Sequence, residues 1–306
     1  MPSVSVIIPV YESHPTLARC LQALRAQTGP DFEVVILDSS VSDHTQRLIA
    51  DFPEVRYLRH PGRLLPFAAR NLAIQAAQGE ILVSLDPDVY AAPDWLERLL
   101  ACHRQHGSAV AGAVTCYREG WLDWGAHFCK YHEGLPYRAS GPVPSAASAN
   151  LLFTREMYTT VGHFRDDLFC SDYLFTAALV ERGYTIWFEP RAVVSHDHPV
   201  TWRTYLRERY LRGQEYGRVR MQQGQWTRGQ ALLWAVVSVL PVRLARLLIK
   251  TGRAAQSGNM LRLYLQTLPV TTLGFAAWLL GEGTAYLDAL RPSSWTARDG
   301  VILSHR

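Results

Sequence analysis

The sequence predicts an α/β fold, a mostly parallel sheet over the first two hundred residues, followed by a helical region of different character. Three observations predict it. Short aliphatic runs alternate with segments whose apolar residues recur every three or four positions, the pattern of strands joined by crossover helices. Two of the runs end in carboxylates, at Asp38 and at the Asp86 and Asp88 pair. Beyond residue 200 the alternation stops, and arginines gather beside two apolar stretches.

At 306 residues and 48% hydrophobic content the chain has room for one large or two smaller domains with a real core, and disorder is excluded. Five dispersed cysteines, Cys20, Cys102, Cys116, Cys129 and Cys170, show neither zinc spacing nor a disulfide framework, and they read as reduced thiols in a cytosolic setting. Val4 to Val10 is short and lacks a basic leader, so it reads as a strand rather than a signal peptide.

In that first strand, Pro9 confines Tyr11, Glu12 and Ser13 to a loop. From Pro15 to about Ala26, Leu17, Cys20, Leu21 and Leu24 make one apolar stripe, which predicts a helix. Phe32 to Asp38 is the second strand, and Ser39, Ser40, Ser42 and Asp43 are candidate N-caps for the helix after it. Val55 to Leu58 reads as a third strand, Leu64 to Gln78 as a helix, and Ile81 to Leu85 as a fourth strand bounded by Gly79 and Pro87. The fourth is nearly all aliphatic, as a strand covered on both faces must be.

Ligands in open α/β sheets gather beyond the carboxyl ends of the strands. Asp86 and Asp88 stand at such an end, one residue apart. A pair like this suits a divalent cation, Mn²⁺ or Mg²⁺, that shares its remaining positions with the oxygens of a substrate phosphate. Taken alone, Asp-x-Asp is more often a solvated turn, since Asp and Pro are ordinary turn formers. No Gly-x-Gly-x-x-Gly follows the first strand and no P-loop occurs anywhere, which excludes the usual dinucleotide and P-loop phosphate cradles.

Four ordered segments carry a resemblance: Val-Ile-Ile-Pro-Val-Tyr at 6 to 11, Val-Ile-Leu-Asp-Ser-Ser-Val-Ser-Asp at 35 to 43, Ala-Arg-Asn-Leu-Ala at 69 to 73 and Gly-Glu-Ile-Leu-Val-Ser-Leu-Asp-Pro-Asp at 79 to 88. With Ser148 to Phe153, Ser171-Asp172 and Pro190 to His196, they make residues 3 to 198 resemble the family 2 glycosyltransferases of GT-A fold. The resemblance implies a Rossmann-like domain that binds a nucleotide-diphosphate sugar through Pro9, Tyr11, Glu12, Asp38, Arg70 and Asp86. It implies a metal held by Asp88 and His196, with His198 on the same strand face as the alternative ligand. Asp172 would be the general base, a role the chemistry also requires: an acceptor hydroxyl needs a carboxylate outside the metal pair to take its proton. Its other reading is a helix-start carboxylate favoured by the macrodipole, in which case Asp166 or Asp167 is next in line. Three positions depart from the family pattern: Ser171, Glu12 and Ser39.

The rest of the chain differs. Between Thr201 and Arg262, twelve Arg and Lys face only Glu208 and Glu215, although the whole chain carries a net +4. Gly229 to Val242 is apolar but too short to span a bilayer and suits an interfacial helix flanked by arginines. Leu263 to Gly281 runs uncharged for 19 residues, about 28 Å as a helix, close to a bilayer core. Both stretches also read as core helices of a soluble domain. The expected domains are therefore a GT-A domain at 1–200 and an Arg-rich, membrane-associated helical region at 201–306, with interfacial or transmembrane helices at about 229–250 and 263–281. Arg207, Arg209 and Arg212 are candidate diphosphate contacts. Gln222-Gln223-Gly224-Gln225-Trp226 is similar to the Gln-x-x-Arg-Trp motif of processive synthases but lacks its Arg, which argues against a polysaccharide synthase.

These readings converge on a metal-dependent, inverting, hexosyltransferase-type glycosyltransferase at the cytoplasmic membrane face, acting on a lipid-linked or cell-envelope glycan acceptor. A nucleic-acid partner is not expected, because the arginines accompany Leu and Trp runs rather than solvent-facing aromatics on a sheet. The competing readings are a nucleotidyltransferase and a catalytically idle sugar-nucleotide-binding membrane scaffold.

Overall fold

The computed structural model describes residues 3–136 and 138–290. The last residues of the expected C-terminal region, 291–306, lie outside them.

The first half alternates strand and helix as the periodicity predicts: β1 (Val4–Val10), α1 (His14–Arg25), β2 (Glu33–Asp38), α2 (His44–Ile49), β3 (Val55–Arg59), α3 (Pro66–Ala76) and β4 (Ile81–Leu85). β5 (Val89–Ala91), α4 (Trp95–His106), β6 (Ala109–Cys116), α5 (Trp121–Tyr131), β7 (Gly141–Pro142), β8 (Asn150–Thr154), α6 (Arg155–Val161), α7 (Ser171–Glu181) and β9 (Ile186–His196) complete the sheet domain. Strands β3, β2, β1 and β4 are parallel neighbours, and β8 then runs antiparallel between β4 and β6. Alternation splits the core between the two faces. Val6, Ile8 and Val10 meet Leu17, Leu21 and Leu24 of α1 on one side, while Ile7, Val35 and Leu37 meet Phe67 and Ile74 of α3 on the other.

Mid-sheet, Asn150 joins the antiparallel strand to its neighbours. Its amide donates to the carbonyls of Ala113 on β6 and Ala192 on β9, and its oxygen accepts from the Trp95 indole of α4. Gly112 leaves the room for it, since a Cβ there would lie 2.2 Å from the Asn150 amide nitrogen.

One local expectation fails. Asp43 is the N-cap residue of α2, but no side chain caps that helix. The Ser40 hydroxyl accepts from the Glu12 backbone N–H, the Ser42 hydroxyl donates to the Glu12 carboxylate, and Asp43 pairs with Arg47. Glu12, at φ 50° in the left-handed region, draws those serines across to the loop after β1.

The C-terminal part is helical: α8 (Trp202–Gly224), α9 (Arg228–Ser238), α10 (Pro241–Ser257), α11 (Leu261–Gln266) and α12 (Leu268–Asp288). The stretch 263–281, expected to enter the bilayer as one helix, is divided between α11 and α12, and one face of it is covered by protein while Leu265, Leu273 and Leu280 are exposed. α12 lies so close to α8 that a Cβ on Gly213 would sit 2.1 Å from the Trp278 carbonyl oxygen, and one on Gly281 would sit 2.0 Å from that of Tyr210. Among the described residues no single helix is long and apolar enough to cross a membrane; α9 and α10 pass that test only as a pair, bent by 64°. Trp226, of the motif-like segment, packs against Trp234 and Tyr286 at the far end of α8, a helix about 34 Å long that starts beside the His196 strand.

Candidate active site

The site lies past the carboxyl ends of β1, β2 and β4. Around the first two, Glu12 binds the loop after β2 through the N–H groups of Val41 and Ser42 and the Ser42 hydroxyl, bonds that hold its carboxyl below the usual range. Asp38 is fully buried; its carboxylate accepts from the Ser40 N–H at 2.9 Å and the Tyr57 hydroxyl at 2.7 Å. Asp38 therefore shapes this loop from beneath. The Arg63 guanidinium lies over the Tyr11 ring, 4.4 Å from its centroid. Pro9 lies inside β1, paired with Leu37.

Arg70 was expected to reach the nucleotide. Its guanidinium is instead 1% exposed, donating through Nε to Ser84 Oγ and through Nη2 to Asp86. It neutralises and aims Asp86 from below, so its link to any ligand runs through that carboxylate.

β5 carries the chain from the acid pair to the far edge of the sheet. It pairs with β9 in the register Val89↔His196, and the Asp197 N–H donates to the Asp88 carbonyl at 2.7 Å. Asp88 is thereby held beside two imidazoles, with Oδ2 3.5 Å from His196 Nε2 and 3.7 Å from His198 Nδ1. One ligand atom from each of the three lies within 4.8 Å of the others. His196 and His198 were alternatives in the sequence; both reach Asp88. One carboxylate and two imidazoles form a donor set for a divalent transition ion such as Mn²⁺. Burial, reinforced by the nearby Lys130, keeps His196 well below its ordinary value, neutral and able to donate a lone pair. For His198 burial acts the same way but is outweighed by hydrogen bonds to Asp88 and Glu208, which raise it to about 9. Asp197 turns away from this cluster: it is buried and accepts from Tyr90 and Arg118.

Asp172 stands apart from the cluster at the first turn of α7. Its carboxylate accepts from the backbone N–H groups of Ser148 at 3.1 Å and Tyr173 at 2.9 Å. Burial pushes its pKa up despite those bonds. Asp166 and Asp167, next in line as a base, are exposed, and Asp167 is paired with Arg165. Of the three candidate diphosphate contacts on α8, Arg207 is exposed, Arg209 is buried against Trp278, and Arg212 lies over Phe169 within 4.0 Å of Glu208 and Glu215.

Two residues that the sequence reading did not single out join the site. Glu208 reaches His198 at 3.5 Å, and that contact, against the effect of burial, keeps its carboxyl well below the usual range. Lys130, from the end of α5, lines the cleft between the His196 strand and α8 and lies within Coulombic reach of Asp86, Asp88 and Glu208. Composition carried a signal for it, because the chain contains only two lysines among 31 basic residues. Nothing in the spacing pointed to Glu208.

A mixed, mostly parallel sheet with an acid pair after one strand and a histidine closing another defines a nucleotide-sugar type of α/β enzyme. The family model for glycosyl transferase family 2 matches residues 5–162, more than half of the chain, and the chain belongs to that family. It is a glycosyltransferase of GT-A fold, which sets aside the nucleotidyltransferase reading. The glycosyltransferase AglE of Haloferax volcanii is 26% identical over 206 residues, 64% of this chain and 67% of the relative. The pre-mycofactocin glycosyltransferase of Mycobacterium tuberculosis is 29% identical over 230 residues, 70% of this chain but 46% of the relative. The succinoglycan biosynthesis protein ExoO of Rhizobium meliloti is 33% identical over 113 residues, 32% of its length. Among solved structures, the mannosyltransferase PcManGT of Pyrobaculum calidifontis, determined with GDP-Man and Mn2+, shares the fold at a TM-score of 0.63 and 23% identity, over 94% of this chain and 87% of its own.

Proposed function

We propose that this glycosyltransferase moves a sugar from a nucleoside-diphosphate sugar to an acceptor hydroxyl with inversion at the anomeric carbon. The observation that carries the reading is a division of labour: the Asp88, His196 and His198 cluster, and Asp172 outside that cluster but within Coulombic reach of Asp86 and Arg70. Asp88, His196 and His198 would hold a divalent cation, which when bound neutralises the diphosphate and assists its departure. Solved neighbours with Mn2+ support that assignment. Asp86, aimed by Arg70, would face the donor ribose, and Tyr11 the base. Asp172 takes the acceptor proton as the acceptor oxygen forms its bond to the anomeric carbon; the bond from that carbon to the diphosphate oxygen breaks, and the diphosphate leaves with the electron pair. A single separate carboxylate supports this direct displacement.

The acceptor in this reading is a lipid-linked or cell-envelope glycan met at the cytoplasmic membrane face. Support comes from α9 and α10, where Leu232, Leu233, Val236, Val239, Val242 and Ile249 are each at least half exposed. Those helices carry no acid, and besides Arg243 and Lys250, which pair with Glu282 and Glu133, they expose Arg228, Arg246 and Arg253, a composition that suits a helix pair lying on anionic headgroups. The full chain is then expected to sediment with membranes and resist a high-salt wash, because salt screens charge but not apolar burial. Full-length protein that is monodisperse without detergent would point to a soluble acceptor.

The test of the reaction is a thermal-shift screen of nucleotide sugars with Mn²⁺ or Mg²⁺, followed by release of nucleoside diphosphate. One donor class is expected to stabilise the protein only with the cation, and Asp88→Ala to abolish both that stabilisation and turnover. Donor binding indifferent to chelator and to Asp88→Ala would sink the metal assignment.

A further inference from the structure

Beside the cation cluster, between α5 and the start of α8, lies a small cleft of about 30 Å³ that is partly open to solvent. Two cations line it that the catalytic assignment above does not use, Lys130 and Arg209. Arg209 is nine-tenths buried, with its guanidinium 4.5 Å from the Trp278 ring centroid and its Nε without a hydrogen-bond partner. Among the described residues no carboxylate lies within ion-pair distance of Arg209 or of Lys130. Taking an unpaired guanidinium out of water costs several kcal/mol, and a cation–π contact offsets only about 1–2 kcal/mol of it. The other charges facing the cleft do not supply the missing anion. Glu208 is turned to His198 and Arg212, Asp123 is half-exposed at the rim, and His127 is kept neutral by burial, its value lowered to about 3.

Elsewhere several arginines lie against carboxylates, as in Arg70 with Asp86, Arg118 with Asp197, and Arg220 and Arg243 with Glu282, and Arg155 donates to backbone carbonyls. Arg209 has no such partner among the described residues, and Lys130, exposed at the cleft, has Asp86, Asp88 and Glu208 only at longer range. Lys130 is also one of only two lysines in the chain, and the other, Lys250, is paired with Glu133. A compact ammonium on α5 and an under-bonded guanidinium on α8, lining one cleft, suit the oxygens of a phosphate group, which accepts from donors of both kinds.

We infer that Lys130 and Arg209 form a seat for a substrate phosphate on the α5 and α8 side of the Asp88, His196 and His198 cluster. The inference rests on the nucleotide-sugar reading and deepens it. The phosphate comes from one of two sources, the donor diphosphate or a phosphate that links the acceptor to its lipid, and the two are separable.

The experiment uses the full chain with Mn²⁺, titrated with inorganic pyrophosphate as the donor-side probe and with geranyl phosphate, against geraniol, as the acceptor-side probe. Lys130→Gln and Arg209→Gln are compared with wild type, and Arg209→Lys serves as the conservative variant should Arg209→Gln lower the melting temperature. A charge-assisted hydrogen bond lost to a phosphate corresponds to about ten-fold or more in Kd. Weakening of pyrophosphate alone assigns the seat to the leaving diphosphate. Weakening of geranyl phosphate with geraniol unchanged assigns it to the acceptor. Unchanged affinity for both probes in folded Lys130→Gln overturns the seat and leaves the nucleotide-sugar reading standing. A wild-type chain that binds neither probe also overturns it. The reading beneath it falls only if the nucleotide-sugar screen is blank as well.

Discussion

Asp172 at the head of α7 and Glu282 within α12 are both acids held away from bulk water, and the protein treats them in opposite ways. Glu282 is fully buried, and each of its oxygens is 3.0 Å from a guanidinium, Arg220 of α8 on one side and Arg243 of α10 on the other; the Tyr286 hydroxyl donates to it at 2.5 Å. Both oxygens of that carboxylate are engaged within the helical bundle, by three donors. Among the described residues Asp172 receives two backbone N–H groups and no cation at ion-pair distance, and burial raises its pKa. The bundle uses an acid as a fixed counter-ion that ties three helices together, whereas the cleft leaves an acid with a reason to accept a proton. A base needs that second environment, because a carboxylate fully committed to arginines has little tendency to take a proton from an acceptor hydroxyl.

The largest effect that would break this contrast is on turnover. Asp172→Asn keeps size and most hydrogen bonding but loses the proton acceptor, so kcat is expected to fall by about 10²- to 10⁴-fold with donor affinity nearly unchanged. Near-normal turnover in steady-state assays would remove Asp172 from the base role. Glu282→Gln is expected to do the reverse. It leaves two arginines without their buried partner and destabilises the fold by about 3 kcal/mol, while the molecules that remain folded keep their turnover. A folded but inactive Glu282→Gln protein would show that the ion triad reaches the cleft.

A smaller effect tests the helix contact that brings the triad together. Gly213→Ala forces a methyl group against the Trp278 carbonyl and should cost about 1–3 kcal/mol, read as a lowered midpoint in urea. An unchanged midpoint would mean that α8 and α12 separate freely.

The smallest effect concerns pH. A pKa raised in the folded state means that the group's contribution to stability is complete below the unfolded value, near 3.9, and declines as pH rises through the folded value. Ionised Asp172 therefore weighs against the fold at neutral pH. Asp172→Asn should match or slightly exceed wild type in melting temperature at pH 7, with the difference vanishing below about pH 3, where both side chains are uncharged. The acid limb of kcat in wild type should fall above the ordinary aspartate range. A variant less stable at pH 7 than at pH 3, relative to wild type, would contradict the burial effect.

Two apolar stretches of the C-terminal region show how far composition reaches. Residues 263–281 were long enough for a bilayer, yet α8 covers one face of α12 through glycines on both helices, and Leu265 and Leu280 stay more than half exposed. Residues 229–242 were shorter, and α9 with the following turn leaves Leu233, Val236 and Val239 more than half exposed. Hydropathy says that a segment needs a cover; it does not say whether that cover is protein or lipid.

Much of the sheet domain was legible because its signals are local. The alternation of aliphatic runs with three- and four-residue periodicity gave the four parallel strands β1 to β4 and their helices within a residue or two. The ends of β2 and β4 placed Asp38, Asp86 and Asp88 at the strand termini. Directions of side chains were less legible: Ser40 and Ser42 looked like caps until Glu12 claimed them, and Arg70 looked like a ligand contact but points beneath Asp86.

The sequence by itself determined the fold class, the strand ends at which the acids stand, and an arginine-rich helical sequel, all of which follow from backbone sterics and periodicities within a dozen residues. The tertiary structure alone decided that both His196 and His198 meet Asp88, because that depends on the β5 and β9 register between segments about a hundred residues apart. It alone brought Glu208, Lys130 and Arg209 to one cleft and gave Glu282 its two arginines. Those pairings depend on how helices stack on a sheet, and contacts between distant segments leave no period in the chain to read.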